Sequence, residues 1–177
     1  LFMARRHQHV GVALQGWMVH ADGFAFESRY RPASGIARFL TGTQSVLAMA
    51  AVAAALDIFE SVSISDIRHK SLALTDHFLD HLASGEWTRN LEVLTPREHA
   101  LRGSQVSLAI DHAYPVSQAL IDRGVIVDFR EPNIVRFGFS PLYNQFSEAE
   151  RAAQILSDIL KNEWFRDPGY SQRNKVT

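Results

Sequence analysis

The rhythm of hydrophobic and polar positions changes twice along these 177 residues. Residues 1–44 show no sustained period. Aromatic residues, glycines and two basic segments are mixed there, and GWMVHADGFAFESRYRPASG (residues 16–35) predicts a long, extended, irregular segment. Connections of that length are uncommon in compact domains and are often functional. Residues 1–4 read as the last residues of a strand, as if the chain opened inside a larger protein. From Ser45 the pattern turns helical. Residues 46–59 are apolar on nearly every face, which predicts a buried helix. A second helix follows, with Ser65 as its cap, Ile67, Leu74, Phe78 and Leu82 at helical spacing, and Gly85 as its stop.

The period then shortens. Residues 91–94 form a short strand candidate. Residues 105–110 alternate, with Val106, Leu108 and Ile110 on one face. Pro115 fits the first turn of a helix ending near Arg123 and Gly124. Residues 125–129 and 134–139 predict two more strands, the second with Val135, Phe137 and Phe139 on one face. Ser147 and Glu150 suggest a capping box for a last helix running to about Trp164. The order strand, strand, helix, strand, strand, helix predicts an α/β layer, locally α+β, with a small sheet covered by helices on one side. The expected division is residues 1–44 as one piece, 45–165 as a small domain and 166–177 as a loose tail.

Composition removes several alternatives. The chain is 46% hydrophobic and 21% charged, with a formal net charge of −1, an ordinary balance for a globular chain. No basic excess points to nucleic acid. The most apolar run, residues 46–56, is too short to span a bilayer, so no membrane partner is expected. There is no cysteine, which excludes disulfides and thiolate metal sites and fits a cytoplasmic protein.

Four features carry candidate chemistry. Arg136 lies in the strand IVRFGFS, opposite Val135 and Phe137 and on the side of Gly138. A glycine there leaves room beside a guanidinium that can receive a carboxylate in a bidentate pair. A solvated or structurally paired arginine is the plainer reading of the spacing alone. Trp17 offers a flat ring with one N–H donor, and His20 a group that donates or accepts protons near neutral pH; a core tryptophan and a surface histidine are the ordinary alternatives. Thr43, in TGTQS before the apolar helix, suits either a phosphate seat or a plain cap. His77 and His81 share a helix face at i, i+4. No third ligand is apparent in the sequence, so a solvated face is expected there and no metal.

These weak signals occur together in one family. GWMVH, FAFESRYRPASGIARFLTGTQSVL, KSLALTDHFLDHL, VLTPREHALRGSQVSL, ALIDRGVIVDFREP and IVRFGFSPLYNQF follow one another here. In that order they resemble the C-terminal half of bacterial kynureninases, pyridoxal 5'-phosphate (PLP) enzymes of tryptophan catabolism. The resemblance covers nearly the whole chain to about residue 160. It implies a fold-type I architecture, with the end of the large PLP-binding domain followed by the small C-terminal domain. It also implies that Trp17 and Thr43 contact the cofactor phosphate region, that Arg136 binds the substrate α-carboxylate and that His20 lines the site near the substrate's aromatic ring. The substrate implied is L-kynurenine or 3-hydroxykynurenine, and sites shared between subunits imply a homodimer.

Two local departures from the family pattern stand out. Val19 replaces a glycine and is placed to crowd the substrate ring or move His20. Ser45 replaces a proline, a milder change at a helix start. A larger one concerns lysine. The family's cofactor-bonding lysine lies upstream of the segment matching residue 1, and Lys70, Lys161 and Lys175 do not correspond to it. No catalytic residue is therefore assigned, and the chain alone is expected to be inactive. The rival expectation is a non-catalytic association module descended from a PLP enzyme.

Overall fold

The computed structural model describes residues 2–172. The chain divides into two compact units, Leu1–Ser61 and Val62–Thr177. The division falls after the first helix, not before it as the expected boundary at residue 44 has it.

The N-terminal unit is built mainly from turns. Single 3-10 turns form at Arg5–His7, Trp17–Val19 and Gly35–Phe39. Residues 2–4 are not a strand. The irregular segment folds back on itself through an isolated bridge between His20 and Pro32, with Ala33 N–H donating to the Val19 carbonyl at 2.9 Å. Val19 and Ala33 are the buried hydrophobic residues of this unit among those described. Gly23 is required by close approach: a Cβ there would meet the Trp17 carbonyl oxygen at 2.5 Å.

Helix α1 (Val46–Asp57) forms as expected and starts at Ser45, whose Oγ accepts from Ala48 N–H. Serine thus serves where the family pattern has proline. The expectation of burial is not met, since every residue of α1 is exposed. Leu47 is 85% exposed and Val46 78%. A helix without a polar face needs cover on all sides, and the described residues do not provide it.

The second unit carries its own core. Helix α2 (Ile64–Ser84) is capped by Ser63, two residues before the expected Ser65. Ser63 Oγ accepts from Asp66 N–H at 3.1 Å and Asp66 accepts in return from Ser63 N–H, a reciprocal box that Ser65 cannot make. Strands β1 (Glu92–Val93), β2 (Gln105–Ala109), β3 (Asp128–Arg130) and β4 (Ile134–Gly138) form one antiparallel sheet in the order β1-β2-β4-β3. Helix α3 (Ala113–Asp122) precedes β3, and α4 (Phe146–Lys161) follows β4. β3 starts later than its hydrophobic run because Gly124, at φ +80°, and Val125 are used to close α3 through bonds to the Ile121 and Leu120 carbonyls. The α4 cap is Gln145 with Glu148, not Ser147 with Glu150.

One sheet face is buried. Val106, Leu108, Val135 and Phe137 pack against Leu74, Phe78 and Leu82 of α2, Val116 and Leu120 of α3, and Leu156 and Ile159 of α4. The strand alternation is the direct cause, because residues at i and i+2 share a face. The opposite face holds Gln105, Ser107, Arg136 and Gly138. The expected α/β layer, with helices on one side, is what forms. The tail is more ordered than expected: Pro168–Ser171 makes a helical turn (α5). The Tyr170 hydroxyl donates to Asp122 at 2.8 Å and accepts from Arg123 at 3.1 Å. Residues 173–177, with Lys175, lie outside the described residues.

Candidate active site

The sequence candidates fall into one group in each unit. In the N-terminal unit, a cleft of about 620 Å³ is lined by Trp17, His20, Phe24, Phe26, Glu27 and Tyr30, among others. The 3-10 turn presents Trp17 outward, 57% exposed, with its ring 5.4 Å from that of Phe24. His20 follows the turn and is pinned from several sides. Asp22 offers Nδ1 both its N–H at 3.0 Å and its carbonyl at 2.8 Å, so either tautomer is supported. The Arg29 carbonyl stands 3.4 Å from Nε2, and the Tyr30 ring meets the imidazole edge-on.

Glu27 on the rim accepts two hydrogen bonds of 2.7 Å from Arg31. The hydrogen bonding from Arg31 holds the Glu27 carboxyl below its ordinary value of 4.5. Desolvation opposes this, and the charges of Arg31 and His20 reinforce it. The cleft rim is therefore anionic at Glu27 at neutral pH. Val19 does not line the cleft. It is 1% exposed and its carbonyl accepts from Ala33 N–H and the Tyr30 hydroxyl. Thr43 is exposed in the loop before α1, and Ser45 takes the capping role.

In the second unit, register decides the surroundings of Arg136. It stands opposite Ser107 on β2 and Asp128 on β3. Its Nη2 donates to Asp128, while its Nε–H is buried without a partner among the described residues. Arg130 also reaches Asp128, at 3.2 Å. Strand alternation marks the arginine and its glycine neighbour in the sequence but not Asp128, whose pairing depends on strand register. A Cβ on Gly138 would meet nothing within 4 Å, so packing within this chain does not require glycine there. Gly138 lines a second cleft of about 720 Å³ with Ile126, Phe139, Tyr143 and Asn144.

The PREHALRG motif has a structural role here. Arg102 is buried, its side chain only 1% exposed, and pairs with Asp76 of α2. His99 Nε2 lies 2.8 Å from the same carboxylate, and Arg68 donates to the carbonyls of Arg102 and His99. The motif clamps the loop before β2 onto α2 and so fixes the strand that faces Arg136. His77 and His81 do share one face of α2, and helix packing adds Glu150 of α4 to them.

The profile described as kynureninase C-terminal domain matches residues 67–156. A kynureninase of Pseudomonas fluorescens is 48% identical over 164 residues, covering 93% of this chain and 39% of that protein. One from Burkholderia pseudomallei (strain K96243) is 45% identical over 178 residues, covering 100% of this chain and 43% of that protein. The chain thus spans about two fifths of the length of these relatives. Among solved structures, the apo cysteine desulfurase of Thermococcus onnurineus NA1 is similar at a TM-score of 0.72 and 19% identity, covering 85% of this chain and 39% of the other. A C-DES mutant with glycine covalently linked to the PLP cofactor is similar at 0.65 and 19%, covering 82% and 37%. These structures share the fold, the fold-type I architecture expected from the motifs. With half of its length matched by that profile, the chain belongs to the kynureninase C-terminal domain family.

Proposed function

We propose that the protein containing this chain hydrolyses L-kynurenine, or its 3-hydroxy form, to anthranilate or 3-hydroxyanthranilate and L-alanine in tryptophan catabolism. One geometric observation, joined to the family membership, carries this reading. Arg136 projects from the open sheet face beside the free space at Gly138, with donors beyond the one given to Asp128. A guanidinium has five N–H donors in a planar fork that matches a carboxylate. The substrate α-carboxylate shares Arg136 with Asp128 or displaces it.

The cofactor implied is PLP, which supplies an electron sink when bound. The residues present suit its phosphate end. Thr43 is an exposed hydroxyl just ahead of the first N–H groups of α1, and helix N-termini favour phosphate. Trp17 adds a half-exposed indole N–H. The aromatic cleft beside His20 has the size and lining of a ligand pocket, and it suits the substrate ring. Lys70 on α2 and Lys161 at the end of α4 match no cofactor-bonding position, so the chain alone is proposed to be inactive. The intact protein is proposed to be a cytoplasmic homodimer, with the large domain covering α1. The exposed apolar surface of α1 also favours the rival reading, a non-catalytic association module.

The complete reading frame, expressed with PLP and given L-kynurenine, should release fluorescent anthranilate. The 177-residue chain under the same conditions should release none. A complete protein that binds PLP but yields no anthranilate would support the association module instead. Anthranilate from the chain alone would overturn the proposed inactivity.

A further inference from the structure

The pair His77 and His81 acquires a third potential ligand through packing that the sequence does not reveal. Helices α2 and α4 lie side by side, and Glu150, in the second turn of α4, reaches the histidine face of α2. One ligand atom from each of His77, His81 and Glu150 lies within 4.8 Å of the other two. The two imidazoles stand edge to face, with centroids 4.5 Å apart.

A solvated polar helix face does not account for His77. Its Nε2 is buried and has no hydrogen-bond partner among the described residues, and its ring is flanked by His81 and, at 5.4 Å, by Phe146. Buried polar atoms in folded proteins are nearly always satisfied, and an imidazole nitrogen left without a hydrogen-bond partner is one that a metal ion can take. Two imidazoles and one carboxylate form a ligand set suited to borderline metals such as Zn²⁺, and three protein ligands leave a position for water. Ligands bound at about 2.0–2.2 Å to a tetrahedral ion sit roughly 3.4 Å apart. Closing to that separation from within 4.8 Å calls for rotation of the His81 and Glu150 side chains, and Glu150 is exposed.

We propose that His77, His81 and Glu150 bind a divalent transition-metal ion of the zinc class, with solvent completing its coordination, and that the ion clasps α2 to α4. The site lies wholly in the second unit and uses none of the residues assigned to substrate or PLP. It stands or falls independently of the kynureninase activity.

The test is calorimetric titration of the full chain with ZnCl₂ at neutral pH, with CoCl₂ absorption reporting ligand geometry. The expected result is one Zn²⁺ per chain with micromolar or tighter affinity. His81→Gln and Glu150→Gln should each weaken it by at least about tenfold. Both side chains reach solvent, so these variants keep the fold where His77→Gln risks disturbing it. A His7→Ala/His9→Ala double variant removes the chain's other closely spaced histidine pair and should bind as the parent does. Zinc should raise the unfolding temperature of the parent but not of Glu150→Gln. Absence of Zn²⁺ binding, parental affinity in either single variant, or its loss in the double variant would each overturn the site.

Discussion

Helices α1 and α4 differ in where their apolar residues lie. In α4, Ala149, Ala152, Ala153, Leu156 and Ile159 form a buried stripe, and Glu148, Arg151, Asp158 and Lys161 lie off it. In α1 no charged residue appears before Asp57, and every position is exposed. An amphipathic helix states which side needs cover, and α4 finds that cover in α2, α3 and the sheet. A uniformly apolar helix states only that cover is needed. Relatives more than twice as long as this chain fit the proposal that the cover for α1 lies elsewhere in the intact protein.

Truncation at matched positions should expose this difference most strongly. Leu156→Ala, at a fully buried site, should cost about 3 kcal/mol in denaturant unfolding of the chain. Leu47→Ala should change stability by less than about 0.5 kcal/mol. Comparable losses at both positions would break the comparison, because α1 would then be packed in solution.

The Asp76 clamp comes next in size. Asp76→Ala strands the buried Arg102 charge, and such losses reach about 3–5 kcal/mol when both partners are buried. Asp76 is 41% exposed, so a loss of roughly 2 kcal/mol is expected. No change in the denaturation midpoint would show that the PREHALRG clamp contributes nothing to the fold. A smaller effect is expected from Leu47→Glu combined with Met49→Glu on α1: unchanged unfolding, but weaker binding of a hydrophobic dye and less self-association. Unaltered dye binding would place the apolar surface elsewhere.

The smallest effect concerns the start of α4. The backbone N–H of Gln145, and then the Asn144 side chain, hold the Glu148 carboxyl below its ordinary value of 4.5. A folded value below the unfolded one means that the unfolded state binds more protons in the window between them. The contribution of Glu148 is therefore full above the ordinary value and is lost as pH falls through the depressed one. Glu148→Gln should flatten the acid limb of the stability curve slightly. An unchanged slope between the parent and this variant would remove Glu148 from the acid response.

These features were unequally legible in the sequence. The sheet could be read because its buried positions alternate: Val106 and Leu108, then Val135 and Phe137, mark one face without any knowledge of their partners. Helix caps were readable to within two residues, since Ser63, Ser65 and Ser147 all resemble caps and only reciprocal bonding selects Ser63 with Asp66 or Gln145 with Glu148. Arg136 was visible as a candidate, but Asp128 was not, because their pairing depends on the register of β3 on β4. Glu150 was hidden for a similar reason, since helix packing brings it to His77. The exposure of α1 in this chain was not legible, because hydrophobicity reports the need for cover and not its location.

Arg136 is the residue proposed to hold the substrate α-carboxylate, and substrate recognition by the complete protein depends on it. The most direct measurement is the dissociation constant of L-kynurenine for the complete protein and its Arg136→Ala variant, with PLP affinity determined in parallel. Removing one partner of a hydrogen-bonded charge pair costs about 2–5 kcal/mol, so substrate binding should weaken by roughly 30-fold or more while PLP affinity stays near that of the parent. Unchanged kynurenine affinity, or an equal loss for PLP, would contradict the assignment.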